Sequence, residues 1–146
     1  MRRALLFMSL LSLLCACKEP PSVETFLPGD GPYVFPVEMA DSTASYDFDL
    51  YTRIDADAEE IAQLQELPLD VEWKSPSDSS FRERVYLPLS GQGGPFNRDV
   101  YHPYRAGMRP VECGSWTLTF RVPADIPRRG MGLVVRKNAD RWDTEN

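Results

Sequence analysis

The side chains of this 146-residue sequence that could do chemistry are three thiols, one imidazole and several carboxylate clusters. Cys17 closes the string Leu14-Cys15-Ala16-Cys17, at the end of an apolar run over residues 4–14 that follows Arg2 and Arg3. A positive start, an apolar stretch and a small residue before the break make a cleaved export signal, and a thiol at the break is a nucleophile available for acylation. His102 lies in Asp99-Val100-Tyr101-His102-Pro103-Tyr104-Arg105. Tyr101, His102, Tyr104 and Arg105 could bind a carbohydrate ring or a peptide edge, or could be the packed side chains of an edge strand. General-base catalysis would need a nucleophile held against His102 and an orienting carboxylate beyond it. No Gly-x-Ser-x-Gly elbow exists, and Ser90 and Ser115 stand in ordinary contexts.

Asp55, Asp57 and Glu59, with Glu66 at the twelfth position, imitate a calcium loop. Glu60, however, occupies the place where such a loop needs glycine, and Asp57 with Glu60 reads instead as a capping box opening a helix. Gly91 to Gly94 lacks the lysine of a phosphate-binding loop. These residues predict no catalytic set, no cofactor and no metal site. A hydrolase remains as a third functional alternative.

The Leu14-to-Cys17 pattern resembles the lipobox of bacterial lipoprotein signals. That resemblance implies removal of residues 1–16, a diacylglycerol on the Cys17 thiol and an acylated new amino terminus. A spanning helix is the competing assignment, but the 14 uncharged residues between Arg3 and Lys18 extend roughly 21 Å as a helix, against a hydrocarbon core of ~30 Å. One acyl chain binds membranes marginally, and three anchor firmly. Loss of Arg2 and Arg3 leaves 14 basic against 22 acidic residues, a mature formal charge of −8. Such a chain is poorly matched to nucleic acid or to anionic headgroups. The expected location is a membrane of the bacterial cell envelope, facing the periplasm. Lys18-Glu19 partly resembles a surface-export signal, which leaves surface display open. Cys113 is then the one remaining free thiol, expected as a half-buried small residue at a strand entrance.

The elements that must position these groups have a period of two. Tyr46, Phe48, Leu50, Thr52 and Ile54 alternate with Asp47, Asp49, Tyr51 and Arg53 on a wet face. Leu69-Val71-Trp73, Val85-Leu87-Leu89, Trp116-Leu118-Phe120-Val122 and Met131-Leu133-Val135 alternate similarly. Tyr33-Val34-Phe35 and Val37 add a strand that Pro36 either kinks or places at an edge. Turn clusters at Ser75-Pro76-Ser77-Asp78 and Gly91-Gln92-Gly93-Gly94-Pro95 separate them. The pattern predicts an antiparallel β-sandwich of about six to eight strands with one short helix, carried by Ile61, Leu64 and Leu67 and ended by Pro68. The expected organisation is a signal at 1–16, a lipidated terminus and tether at 17–30, a sandwich at 31–138 and a tail at 139–146. An extended tether at ~3.1 Å per residue would hold the domain tens of ångströms from the bilayer, unless residues 23–27 form a first edge strand.

The succession Tyr46-Asp47-Phe48-Asp49-Leu50-Tyr51-Thr52-Arg53, Leu69-Asp70-Val71-Glu72-Trp73 running into Ser75-Pro76, Arg84-Val85-Tyr86-Leu87-Pro88-Leu89, Gly114-Ser115-Trp116-Thr117-Leu118-Thr119-Phe120-Arg121-Val122 and Gly130-Met131-Gly132-Leu133-Val134-Val135-Arg136-Lys137 resembles the gliding motility lipoproteins called GldH, from Bacteroidetes. The resemblance covers residues 32–137. It implies a non-enzymatic envelope lipoprotein with envelope protein partners, supporting a motility or secretion machine. An envelope glycan- or peptide-binding module is the alternative.

Overall fold

The alternation becomes eight strands in a computed structural model that describes residues 21–89 and 96–138. They are β1 (Ser22–Pro28), β2 (Tyr33–Met39), β3 (Ser45–Asp55), β4 (Glu66–Lys74), β5 (Ser80–Pro88), β6 (Asn97–Met108), β7 (Gly114–Arg121) and β8 (Gly130–Asn138), with helix α1 (Ala58–Gln63) between β3 and β4. Two four-stranded sheets result, sheet A in the order β1-β8-β3-β6 and sheet B in the order β2-β7-β4-β5. Every strand pairing is antiparallel. The inner faces meet in one core that includes Phe35, Phe48, Leu50, Leu69, Trp73, Leu118, Phe120 and Leu133. Phe48 of sheet A meets Trp73 of sheet B edge to face at 5.1 Å. The fold is the expected β-sandwich. The signal at 1–16, Cys17, Lys18-Glu19, the glycine-rich turn at 91–95 and the tail lie outside the described residues.

Pro36 stands where it does no harm, because β2 is an edge of sheet B and residue 36 faces outward. Three expectations change. First, residues 22–28 are not tether but the edge strand β1, paired with β8 from Ser22 opposite Arg136 to Pro28 opposite Gly130. Leu27 packs against the core, which rewards pairing over solvation. The five steps from Cys17 to Ser22 then reach at most roughly 18 Å, not tens of ångströms.

Second, α1 is shorter than the apolar spacing predicts. It ends at Gln63, Leu64 is already extended, and Leu67 and Pro68 belong to β4. Strand alternation there buries Leu67, Leu69, Val71 and Trp73 together, at ~1.5–3 kcal/mol for each large apolar side chain, which outweighs another helical turn. β7 pairs with β4 only from Asp70 onward, so Pro68 leaves no donor missing on that side. The capping box is as expected: Asp57 accepts from the Glu59 and Glu60 amides at 3.0 and 2.9 Å, and Glu60 accepts from the Asp57 amide at 3.1 Å. Replacing Asp57 by alanine should cost about 1 kcal/mol, read as a lower urea midpoint at unchanged slope.

Third, Cys113 sits just before β7 as expected but is exposed rather than half-buried. The burial in this stretch goes instead to Trp116, whose indole donates to the Glu112 carbonyl at 2.9 Å.

Candidate functional site

The four residues nominated from sequence all lie on β6, an edge of sheet A, and the strand sends them to different places. Tyr101 pairs with Tyr51 on the outer face, and His102 pairs with Leu50 and is half-buried. Among the described residues the His102 imidazole shares no hydrogen bond with a serine or a carboxylate. Between Asp49 and Phe48 the partner on β6 jumps from Pro103 to Arg105, a bulge that adds one residue to β6. Tyr104, at the bulge, enters the seam between the sheets. Its ring stacks on Trp73 at 6.2 Å and meets Phe120 edge-on at 5.8 Å. Its hydroxyl accepts from the Trp73 indole at 2.9 Å and donates to Glu83 on β5. Arg105 donates to the other Glu83 oxygen at 2.5 Å and lies 5.5 Å from the Tyr104 ring centre. Burial pushes the Glu83 carboxyl up, but these two hydrogen bonds outweigh it and hold the group below its usual range. Tyr104, Arg105 and Glu83 thus clasp sheet A to sheet B, with the exposed Arg105 committed to Glu83, and Tyr101 lies on the open outer face of sheet A.

That surface holds a row that the sequence reading did not assemble. Phe26 on β1 pairs with Gly132 on β8, Gly132 pairs with Tyr51 on β3, and Tyr51 pairs with Tyr101 on β6. Paired residues share a face, so three aromatic rings and one glycine cross sheet A on its solvent side, over three strand spacings or roughly 14 Å. Phe26 is 46% exposed and Tyr101 59%. The Phe26 and Tyr51 rings lie 5.9 Å apart with planes only 21° from parallel.

Two glycines of β8 explain the posture of these rings. A Cβ on Gly132 would come within 2.0 Å of Tyr51 Cζ, and one on Gly130 within 2.5 Å of Phe26 Cζ. Both rings therefore lie down on the β8 backbone, in space that any other residue would fill. Tyr51 donates its hydroxyl to Glu24 at 2.7 Å, and Tyr101 donates to Asp49 at 2.5 Å. Burial, with the Glu24 carboxylate, pushes the Tyr51 phenol up to about 12. The bond to Asp49, with burial, pushes Tyr101 up as well. Asp49, expected on the wet face, is only 2% exposed, because Tyr101 covers it and Arg136 pairs with it. Beside the row, Arg53 grips Asp99 through two hydrogen bonds of 2.5 and 3.0 Å. A shallow cleft of about 310 Å³ runs between Phe26, Tyr51, Arg53, Asp99 and Arg129.

The outer face of sheet B contrasts with this. Asp70 binds Arg84 at 2.7 and 2.9 Å, and Glu72 binds Arg82 at 2.8 Å and Arg121 at 3.3 Å. This ladder of exposed pairs contributes little to stability, but arginines on the β5 edge oppose strand-on-strand association. Among the described residues, no group of three or more His, Cys, Asp and Glu side chains is placed to hold a metal ion. No described helix is long and apolar enough to cross a membrane.

No family model and no curated protein matches the chain. Among solved structures the chain is similar to an arabinose-bound α-L-arabinofuranosidase, at 11% identity and a TM-score of 0.31. The match covers 82% of this chain and 18% of that one, so the chain spans less than a fifth of the enzyme's length.

Proposed function

We propose that the mature chain is a non-catalytic interaction module of a bacterial cell envelope, tethered to a membrane through lipidated Cys17 and engaging its partner with the outer face of sheet A. The observation that carries the interaction role is the row of Phe26, Tyr51 and Tyr101 on the outer face of sheet A, with Phe26 and Tyr101 exposed and Tyr51 half-buried between them. Large aromatics on a solvent face are the side chains that anchor partners most strongly. The anchor is supported by the lipobox pattern ending at Cys17 and by the short span from there to β1. In the GldH-like reading the partner belongs to a motility or secretion machine. The aromatic row favours the second reading, a glycan- or peptide-binding module.

Cys17→Ala, or globomycin treatment of the wild type, should abolish lipid labelling and leave a larger unprocessed precursor. Membrane-bound protein of normal size in either case would defeat the anchor. Purification of the lipidated protein from its native envelope should recover motility or secretion components under the first reading and glycan-handling proteins under the second.

A further inference from the structure

From the posture of the rings in the Phe26–Tyr51–Tyr101 row we infer its ligand class: an uncharged polysaccharide whose equatorially linked pyranose rings form a flat ribbon. This rests on the proposed interaction face and narrows it. An aromatic ring has an electron-rich face and an electron-poor edge, and the C–H groups on the flat side of a pyranose carry the complementary partial positive charge. Rings standing upright from a sheet would offer edges. Here Gly130 and Gly132 let Phe26 and Tyr51 lie flat, so their faces point to solvent.

The polar rim fits the same ligand. Arg53 and Asp99 stand beside the row, and Glu24 and Arg136 border its other side, offering donors and acceptors to hydroxyl groups at the margin of a stacked sugar. The charges of Arg53, Arg129 and Arg136 are met by Asp99, Asp55 and Asp49. An anionic ligand would therefore have to break existing pairs. The row is about one ring wide and roughly 14 Å long, small against the ~800 Å² per partner of a stable protein interface. A peptide adding as a strand would pair with the outer edge of β1 or β6 and run along the strands, whereas the row runs across them.

The test is retention of the full, detergent-extracted lipoprotein on washed cellulose and chitin, both β-1,4-linked ribbons, with granular starch as the α-linked, non-flat comparison. Retention on at least one ribbon, exceeding that on starch, is expected. Phe26→Ala and Tyr101→Ala should each weaken it about tenfold, as loss of an anchoring side chain does. Gly132→Ala keeps all three rings but lifts Tyr51 off β8, and should weaken retention similarly while the protein still unfolds in one cooperative transition. No retention on either ribbon, equal retention on starch, or retention indifferent to all three substitutions would overturn the assignment. Cys17→Ala should leave retention intact, so a failed anchor and a failed glycan site give different results.

Discussion

Replacing Arg128 by methionine is expected to cost the fold about 3–5 kcal/mol, since it strips the donor from several carbonyls at once, each worth ~1–3 kcal/mol if left unsatisfied. Arg128 is 9% exposed and stands in the loop between β7 and β8. Its guanidinium donates to the carbonyls of Pro123 at 3.0 Å, Ile126 at 2.8 Å and Val122 at 3.5 Å, to the carbonyl of Asp30, and to the Tyr33 hydroxyl at 2.9 Å. It also lies 5.7 Å from the Tyr33 ring centre. One side chain thus ties the β1–β2 turn to the β7–β8 loop at one end of the sandwich. Lysine would keep the charge but not the planar fork, so Arg128→Lys should recover less than half of the loss. Urea unfolding at unchanged slope measures both. A methionine variant within about 1 kcal/mol of wild type would show that water replaces the guanidinium at little cost.

Arg128 also marks what the sequence conceals. A guanidinium that binds backbone carbonyls leaves no partner residue to look for, and Pro123-Ala124-Asp125-Ile126-Pro127 reads as a plain loop. The strands were legible because each carries its own period of two, and the capping box because its members are three residues apart. Two local signals misled. Ile61, Leu64 and Leu67 keep helical spacing, but Leu67 is claimed by the core through β4, and the Pro-rich start hides a strand that only β8 makes favourable.

The aromatic row was legible only in pieces. Tyr51 stood out as an aromatic on the wet face of β3, and Tyr101 was nominated for a different surface. Phe26, Tyr51, Tyr101 and Gly132 become neighbours only through strand register, which no local pattern encodes. The usable signal was Gly-x-Gly in a closing strand. Glycine costs stability in a strand interior, so two of them at alternate positions ask what lies over that backbone.

The clasp between the sheets should show a pH signature of its own. Tyr104→Phe removes the hydroxyl that accepts from Trp73 and donates to Glu83, and should cost about 2 kcal/mol at pH 7. Glu83→Gln keeps an acceptor for Tyr104 but loses the charge that holds Arg105, and should cost about 1–2 kcal/mol. The two losses should not add, because both act on the same carboxylate, and a double-mutant cycle measures the shortfall. The folded state holds the Glu83 carboxyl below its usual range, whereas an unfolded glutamate titrates near ~4.3. Its contribution is therefore fully present above that value and is lost as pH falls through the folded-state value. The stability gap between wild type and Glu83→Gln should stay constant from about pH 7 to pH 5.5 and close progressively below about 4.3. A gap that persists undiminished at about pH 2.5 would mean that the substitution acts through packing in the seam and that the charge on Glu83 contributes nothing.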